Sequence, residues 1–345
     1  MSRKTAAPTT VVLLALLLTG GCQTSQGPSP ADTRLATELY VRSQLLAEGG
    51  DLDAALEELR QAVKADPTLS IAHTSMGNIY QKRKEHHMAR VAYENAVSAN
   101  PFAFTPAYNL GVTYQALARA AQTAAEAKRY VSKAVETYLR AVTLKPKDYD
   151  AHLNLSACYF DLGNASMAEQ YCRKAIQLEP GRKEAHKNLA VIQHSQGKVY
   201  EAVEAYNKAL EFDIHQPDIL LALGGIYAQQ GRTREAIRVF LAAAEEVPAD
   251  PTPWVQIGAA YFAQQQYDKA LEAYDKALEI DSNSAAAWRG RGYTFMTQFL
   301  QDPEQLDLRT NALDSWNRSL DLHADQPRLR QLVRKYTPRR NLPEL

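Results

Sequence analysis

The sequence predicts an all-α chain, about eight helical hairpins stacked one on the next and closed at one end by a capping helix, and three observations carry that prediction. A ladder of small residues, spaced by 12 and then 7, recurs at Gly77, Ala89, Ala96; Ser156, Ala168, Ala175; Ala190, Ala202, Ala209; Gly224, Ala236, Ala243; and Gly258, Ala270, Ala277. Ser43, Ala55 and Ala62 begin it. Three residues after the first small position stands an aromatic in Tyr80, Tyr114, Tyr159, Tyr227, Tyr261 and Phe295. A proline closes the unit in Asp66-Pro67, Asn100-Pro101, Lys145-Pro146, Glu179-Pro180 and Val247-Pro248.

Each observation has a physical reason. A small residue on one helix facing two on the next lets the backbones approach closely, as an antiparallel hairpin of short helices requires. The aromatics are expected to fill the space that the small residues leave. Proline has no N–H to continue a helix and restricts the residue before it, so the second helix must stop there. Units then begin at about residues 36, 70, 104, 149, 183, 217, 251 and 285.

The chain opens differently. Arg3 and Lys4 precede an unbroken apolar run from Val11 to Leu18, then Thr19, Gly20, Gly21 and Cys22. Such a run falls well short of the roughly 20 residues that span a bilayer but suits the core of a secretion signal, so residues 1–21 are expected to be a signal peptide. Leu18-Thr19-Gly20-Gly21-Cys22 resembles the lipobox of bacterial lipoproteins, which implies that Cys22 is lipidated, palmitate being one of the acyl chains. In Gram-negative lipoproteins an Asp after the cysteine often marks inner-membrane retention. Gln23 stands there, which implies the periplasmic side of the outer membrane. Residues 22–34, rich in Gly, Pro and Ser, read as the lipidated cysteine and a flexible tether.

The repeat fills residues 35–325. Asn109-Leu110-Gly111 with Tyr114, and Trp254 and Trp288 in the first helix, resemble the tetratricopeptide repeat in a period of 34 residues. The resemblance covers most of the chain and implies a right-handed superhelical solenoid whose first helices line a concave groove. Two hairpins carry insertions, near 116–133 and 297–309. The first is Ala-rich, without Gly or Pro, and is expected to lengthen both helices; the second contains Asp302-Pro303, a good helix start. Residues 326–345 read as a basic capping helix, with Leu329, Leu332 and Val333 at helical spacing, and a tail.

Function is expected in the groove. The resemblance assigns partner contacts to Asn78, Tyr108, Asn109, Asn154, Phe160, Lys187 and Asn188. Asn109, Asn154 and Asn188 share one position in successive units, and an amide both donates to and accepts from a peptide backbone. A second mode of the family, a clamp on a C-terminal carboxylate, is excluded because Thr74, Asp150 and Asn154 stand where cations are needed.

Other classes find little support. Thirty-nine basic and thirty-nine acidic residues balance, without a basic patch for nucleic acid. His86-His87 lacks partners at metal-ligand spacing, Gly224-Gly225 lies inside a first helix and not in a phosphate loop, and His152 and His186 read as packing. Cys158 and Cys172 lie on the two helices of one hairpin, where a disulfide and two small buried side chains are both open. No catalytic residue, metal or cofactor is expected. The chain is identified as a tetratricopeptide-repeat lipoprotein, similar to pilotin-like lipoproteins of type IV pilus and secretin assembly, and is expected to be a non-catalytic scaffold that binds protein partners. An adaptor for cell-wall enzymes, or a binding or regulatory subunit of envelope glycan synthesis or export, is the alternative.

Overall fold

The computed structural model describes residues 27–338, so the predicted signal segment, Cys22 and the start of the tether lie outside the described residues. Those residues form seventeen α-helices and no strand. Two compact units divide them at Pro106 and Ala107. Unit one pairs α1 (Pro30–Glu48) with α2 (Leu52–Ala65) and α3 (Ser70–Lys82) with α4 (His86–Ala99). Helix α5 (Phe104–Ala120) leads into unit two, followed by α6 (Ala124–Leu144). The pairs α7 (Tyr149–Asp161) and α8 (Ala165–Leu178), α9 (Lys183–Ser195) and α10 (Val199–Phe212), and α11 (Pro217–Gln229) and α12 (Thr233–Glu246) come next. They are followed by α13 (Thr252–Ala263) with α14 (Tyr267–Ile280), α15 (Ala285–Gln301) with α16 (Leu306–Leu322), and finally α17 (Pro327–Tyr336).

The close approach in each hairpin comes from the ladder, but the ring that fills it is not the one the sequence suggested. Gly77, Gly224 and Gly258 lie under Tyr93, Phe240 and Tyr274, sixteen residues on, in the second helix. A Cβ on Gly224 would sit 2.3 Å from the Phe240 ring, and one on Gly77 2.5 Å from Tyr93. Where the small residue is serine the partner carries no ring, although Ala190 still faces Tyr206. Ser156 stands opposite Cys172, and Ser43 opposite Leu59, at the same spacing. The first-helix aromatics Tyr80, Tyr114 and Tyr227 are buried as well, away from that crossing.

The turn inside six hairpins is a single motif that the sequence reading did not identify. At Gly163 (φ +78°) the N–H donates to the Phe160 carbonyl at 2.8 Å, and the Asn164 N–H to Tyr159 at 2.9 Å. These two bonds satisfy carbonyls left over at the end of α7. Lys84 (φ +61°) and Gln265 (φ +60°) adopt the same left-handed backbone with side chains, which explains why no glycine marks those turns.

Two boundaries differ from the sequence expectation, and the lengthening of the third hairpin follows it. Residues 30–33, read as tether from their composition, are the first turn of α1. Ser29 caps it, its hydroxyl accepting from the Asp32 N–H at 3.2 Å while the Asp32 carboxylate accepts from the Ser29 N–H at 3.2 Å. Asp302-Pro303 starts no helix: Asp302 ends α15, and α16 begins only at Leu306. In the third hairpin α5 has 17 residues and α6 has 21, against 13 and 14 in α7 and α8.

The ends are treated differently from the middle. Leu155, Leu189, Leu223 and Ile257, at the seventh position of interior first helices, are buried. In α1 that position is Arg42, paired with Glu58 at 3.3 Å, and the third position is Glu38, paired with Arg34 at 3.2 Å. A charged face needs no preceding hairpin. At the other end α17 buries Leu329 in a cluster with Met296, Phe299 and Trp316.

The rule that serine faces a partner without a ring gives a stability test. Cys172→Tyr alone overpacks the crossing against Ser156 and is expected to cost about 1–3 kcal/mol. Adding Ser156→Gly recreates the glycine-and-ring pair of the other hairpins and should recover most of that loss in denaturant melts; equal losses in the single and double variants would refute the rule.

Candidate partner-binding face

In unit two the first helices α7 and α9, α11 and α13, and α13 and α15 touch, and α9 reaches α11 through the Lys187–Asp218 ion pair. Down the middle of the first-helix face runs a row of modest side chains, Ala157, Val191, Gly225 and Ala259, at the ninth position. Beside it lie Asn154 and Asn188, half-buried on α7 and α9.

The structure brings some of the predicted residues together. Asn154 Nδ2 donates to the Tyr108 hydroxyl at 3.0 Å, and Tyr108 meets Tyr138 edge to face at 5.8 Å. Burial, with Asp150 and Asp148 nearby, raises the Tyr108 pKa, so the phenol stays neutral as an acceptor. One amide N–H and the carbonyl oxygen of Asn154 are left for a ligand. Asn188 makes no hydrogen bond among the described residues, and Asn109 is half-buried on α5. Phe160 is partly buried against the core of unit two.

Two others are engaged by their own chain. The Lys187 ammonium pairs with Asp218 of the next first helix. Asn78, in unit one, accepts from the Tyr93 hydroxyl through Oδ1 at 2.7 Å. Charge pairs along one edge were not foreseen. Arg182 binds Asp150 at 3.0 Å and covers the Tyr149 ring at 4.0 Å, and Lys183 pairs with Asp213. The signal existed in the sequence, as acids at the second position of successive first helices, Asp150, Glu184 and Asp218.

The glycine pair of α11 divides in two. Gly224 is the packing residue under Phe240, whereas a Cβ on Gly225 would meet nothing within 4 Å. A glycine inside a helix costs about 1 kcal/mol relative to alanine, and the packing does not call for it at this position.

The remaining chemistry-bearing groups serve the fold. His73, His152 and His186 each place Nε2 on the carbonyl of a proline six residues back, Pro67, Pro146 and Pro180, at 3.1, 3.0 and 2.9 Å. Trp288 Nε1 donates to the Ser282 carbonyl at 2.8 Å in the same way, so histidine and tryptophan are alternatives at one position. Cys158 and Cys172 are free and buried, and burial pushes both thiols up to about 12. Cys172 donates to the Ala185 carbonyl at 3.1 Å. Among the described residues no three of His, Cys, Asp and Glu are grouped to hold a metal, and no helix is long and apolar enough to cross a membrane.

Comparison with known proteins follows the same lines. Residues 124–183, and residues 39–69 and 71–102, match two family models described as tetratricopeptide repeat. Residues 182–292 match the model of the cilia and flagella-associated protein 70 C-terminal domain. No curated protein matches the chain. Among solved structures, a tetratricopeptide repeat protein of Parabacteroides merdae is 20% identical over 76% of this chain and 99% of its own, with a TM-score of 0.52. Pseudomonas aeruginosa pilF is 17% identical over 63% of this chain and 94% of its own, with a TM-score of 0.51. An APC/C Cut9-Hcn1 structure is 16% identical over 89% of this chain and 58% of its own, with a TM-score of 0.51. These likenesses are of fold.

The histidine position yields a pH test. Burial lowers the His73 pKa below its ordinary 6.5, outweighing the Pro67 carbonyl bond that raises it. The unfolded chain therefore takes up the proton first, and the contribution of His73 is complete above pH 6.5 and is lost as the pH falls through its folded value. His73→Trp keeps a ring N–H for the Pro67 carbonyl without titrating, so melts of this variant should lose less stability on acidification than those of the parent chain; unchanged acid sensitivity would count against the assignment.

Proposed function

From a chain built of tetratricopeptide repeats, we propose a non-catalytic scaffold that holds partner polypeptides along the first-helix face of unit two. It is held to the periplasmic side of the outer membrane by lipid on Cys22. No enzymatic family matches, and the repeat is a protein-protein interaction fold.

One observation carries the site. Gly225 gives up helix stability at a position where nothing packs, and the physical use of such a glycine is the close approach of another backbone. Asn188 lies one hairpin before it with an amide free of partners, and Asn154 one hairpin earlier. An extended chain running across α7, α9 and α11 meets amide, amide and bare backbone in turn. Charges on this face are largely paired internally, Lys187 with Asp218 and Arg182 with Asp150, which favours a ligand held by backbone bonds over one chosen by its charge.

The specific service we propose is assembly of a type IV pilus or secretin component at the outer membrane. The lipobox-like Leu18 to Cys22 and the fold shared with pilF support that reading.

Partner capture by in-cell photocrosslinking from Val191, exposed on the same face of α9, tests the face. Gly225→Ala should raise stability by about 1 kcal/mol while weakening capture, a pairing that a purely structural glycine would not give. Asn154→Ala with Asn188→Ala should weaken capture by about 2 kcal/mol, roughly thirtyfold, at two hydrogen bonds. Unchanged capture in both variants would remove the face from consideration. For the anchor, Cys22→Ser should abolish fatty-acid labelling and release the chain from membranes, and retention of both would refute lipidation.

A further inference from the structure

The two hairpins that exceed the repeat length do so at their tips, and the tips differ in chemistry. In the third hairpin the added ends of α5 and α6 overhang the turn between α7 and α8 and bound a hollow of about 550 Å³. Its floor is apolar, from Ala118, Ala127, Val131 and Leu162. Arg119 and Lys128, both exposed, stand at its edge, and neither makes an ion pair of 4 Å or less among the described residues. Asp161 also lines it, near Arg119, with its carboxyl held above the usual range by burial.

The eighth hairpin ends in an exposed turn flanked by leucines. Leu300 and Leu306 are each 54% exposed. Between and beside them stand Asp302, Glu304 and Asp307, and none of these carboxylates makes an ion pair among the described residues. Neither feature is required by the repeat. α16 begins at Leu306, so the turn could carry a polar residue there at no cost to the core.

We propose that the tip of the eighth hairpin of one copy seats in the hollow beneath the third hairpin of a second copy. The leucines would lie on the alanine and valine floor, and the carboxylates would meet Arg119 and Lys128. A second copy is favoured over a foreign partner because both halves of the match are on this chain. They are complementary in apolarity and in unpaired charge, and they coincide with its two insertions. Donor and acceptor surfaces differ, so the contact is heterologous and propagates head to tail into a ring or filament. Its charged rim makes it weaken with salt.

Sedimentation velocity of the full chain tests this. The mass is expected to grow with protein concentration and to fall back on adding salt. Leu300→Asp with Leu306→Asp removes the tip, and Arg119→Glu with Lys128→Glu removes the edge of the hollow. Each variant alone is expected to weaken association at least tenfold. An equimolar mixture of the two keeps one intact tip and one intact hollow, so it should stop at a dimer, which also reports that both variants are folded. A parent chain that stays monomeric at all concentrations, association that persists in either variant alone, or a mixture that forms no dimer would each overturn the proposal.

Discussion

Each hairpin rests on one close crossing, in which a side chain of the second helix, in most hairpins a ring, lies on the backbone of the first. Packed interiors tolerate little change in volume, so the two sides of the crossing are coupled. Glycine is paired with tyrosine or phenylalanine, as at Gly258 and Tyr274, and serine with cysteine at Ser156 and Cys172. Cys172 follows from this, as the small side chain that a crossing with Ser156 admits in place of a ring, and burial raises the pKa of both Cys158 and Cys172. The crossing also sets the turn: helices this close must reverse within a few residues, and the left-handed residue at Gly163, or at Gln265 without a glycine, does so while satisfying the last carbonyls.

The repeat was legible because close crossings recur at fixed spacing, and periodicity in small residues survives when every other position varies. The choice of ring was less legible. Two aromatics per hairpin, such as Tyr227 and Phe240, are both buried, and only the glycine geometry tells which one lies over Gly224. Boundaries failed where composition and capping disagree. Ser29 to Asp32 reads as linker by its residue types, yet its spacing forms a reciprocal cap that starts α1. Asp302-Pro303 has the residues of a helix start, but the chain spends them on a turn.

The candidate face was legible in its rows and not in its pairings. Asn154 and Asn188 are equivalent in sequence, but only Asn154 has a tyrosine one hairpin away to bond. Lys187 looks free until Asp218 arrives from the next first helix. Contacts between hairpins depend on how one is rotated on another, which no single unit encodes. Gly225 shows the converse. It sits beside a glycine with a structural duty, and the sequence alone gives both the same explanation.

The insertions show where such an array is free to vary. Lengthening α5 and α6 leaves Gly111 under Tyr138 and the crossing intact, because the added residues lie beyond it toward the tip. The same holds for Gly292 under Trp316 in the eighth hairpin. Past the crossing some residues still pack, as Val131 and Phe299 do, but exposed positions such as Leu300 and Leu306 bear no packing duty. The core constrains the middle of every hairpin to one solution and leaves the tips to be set by what they meet.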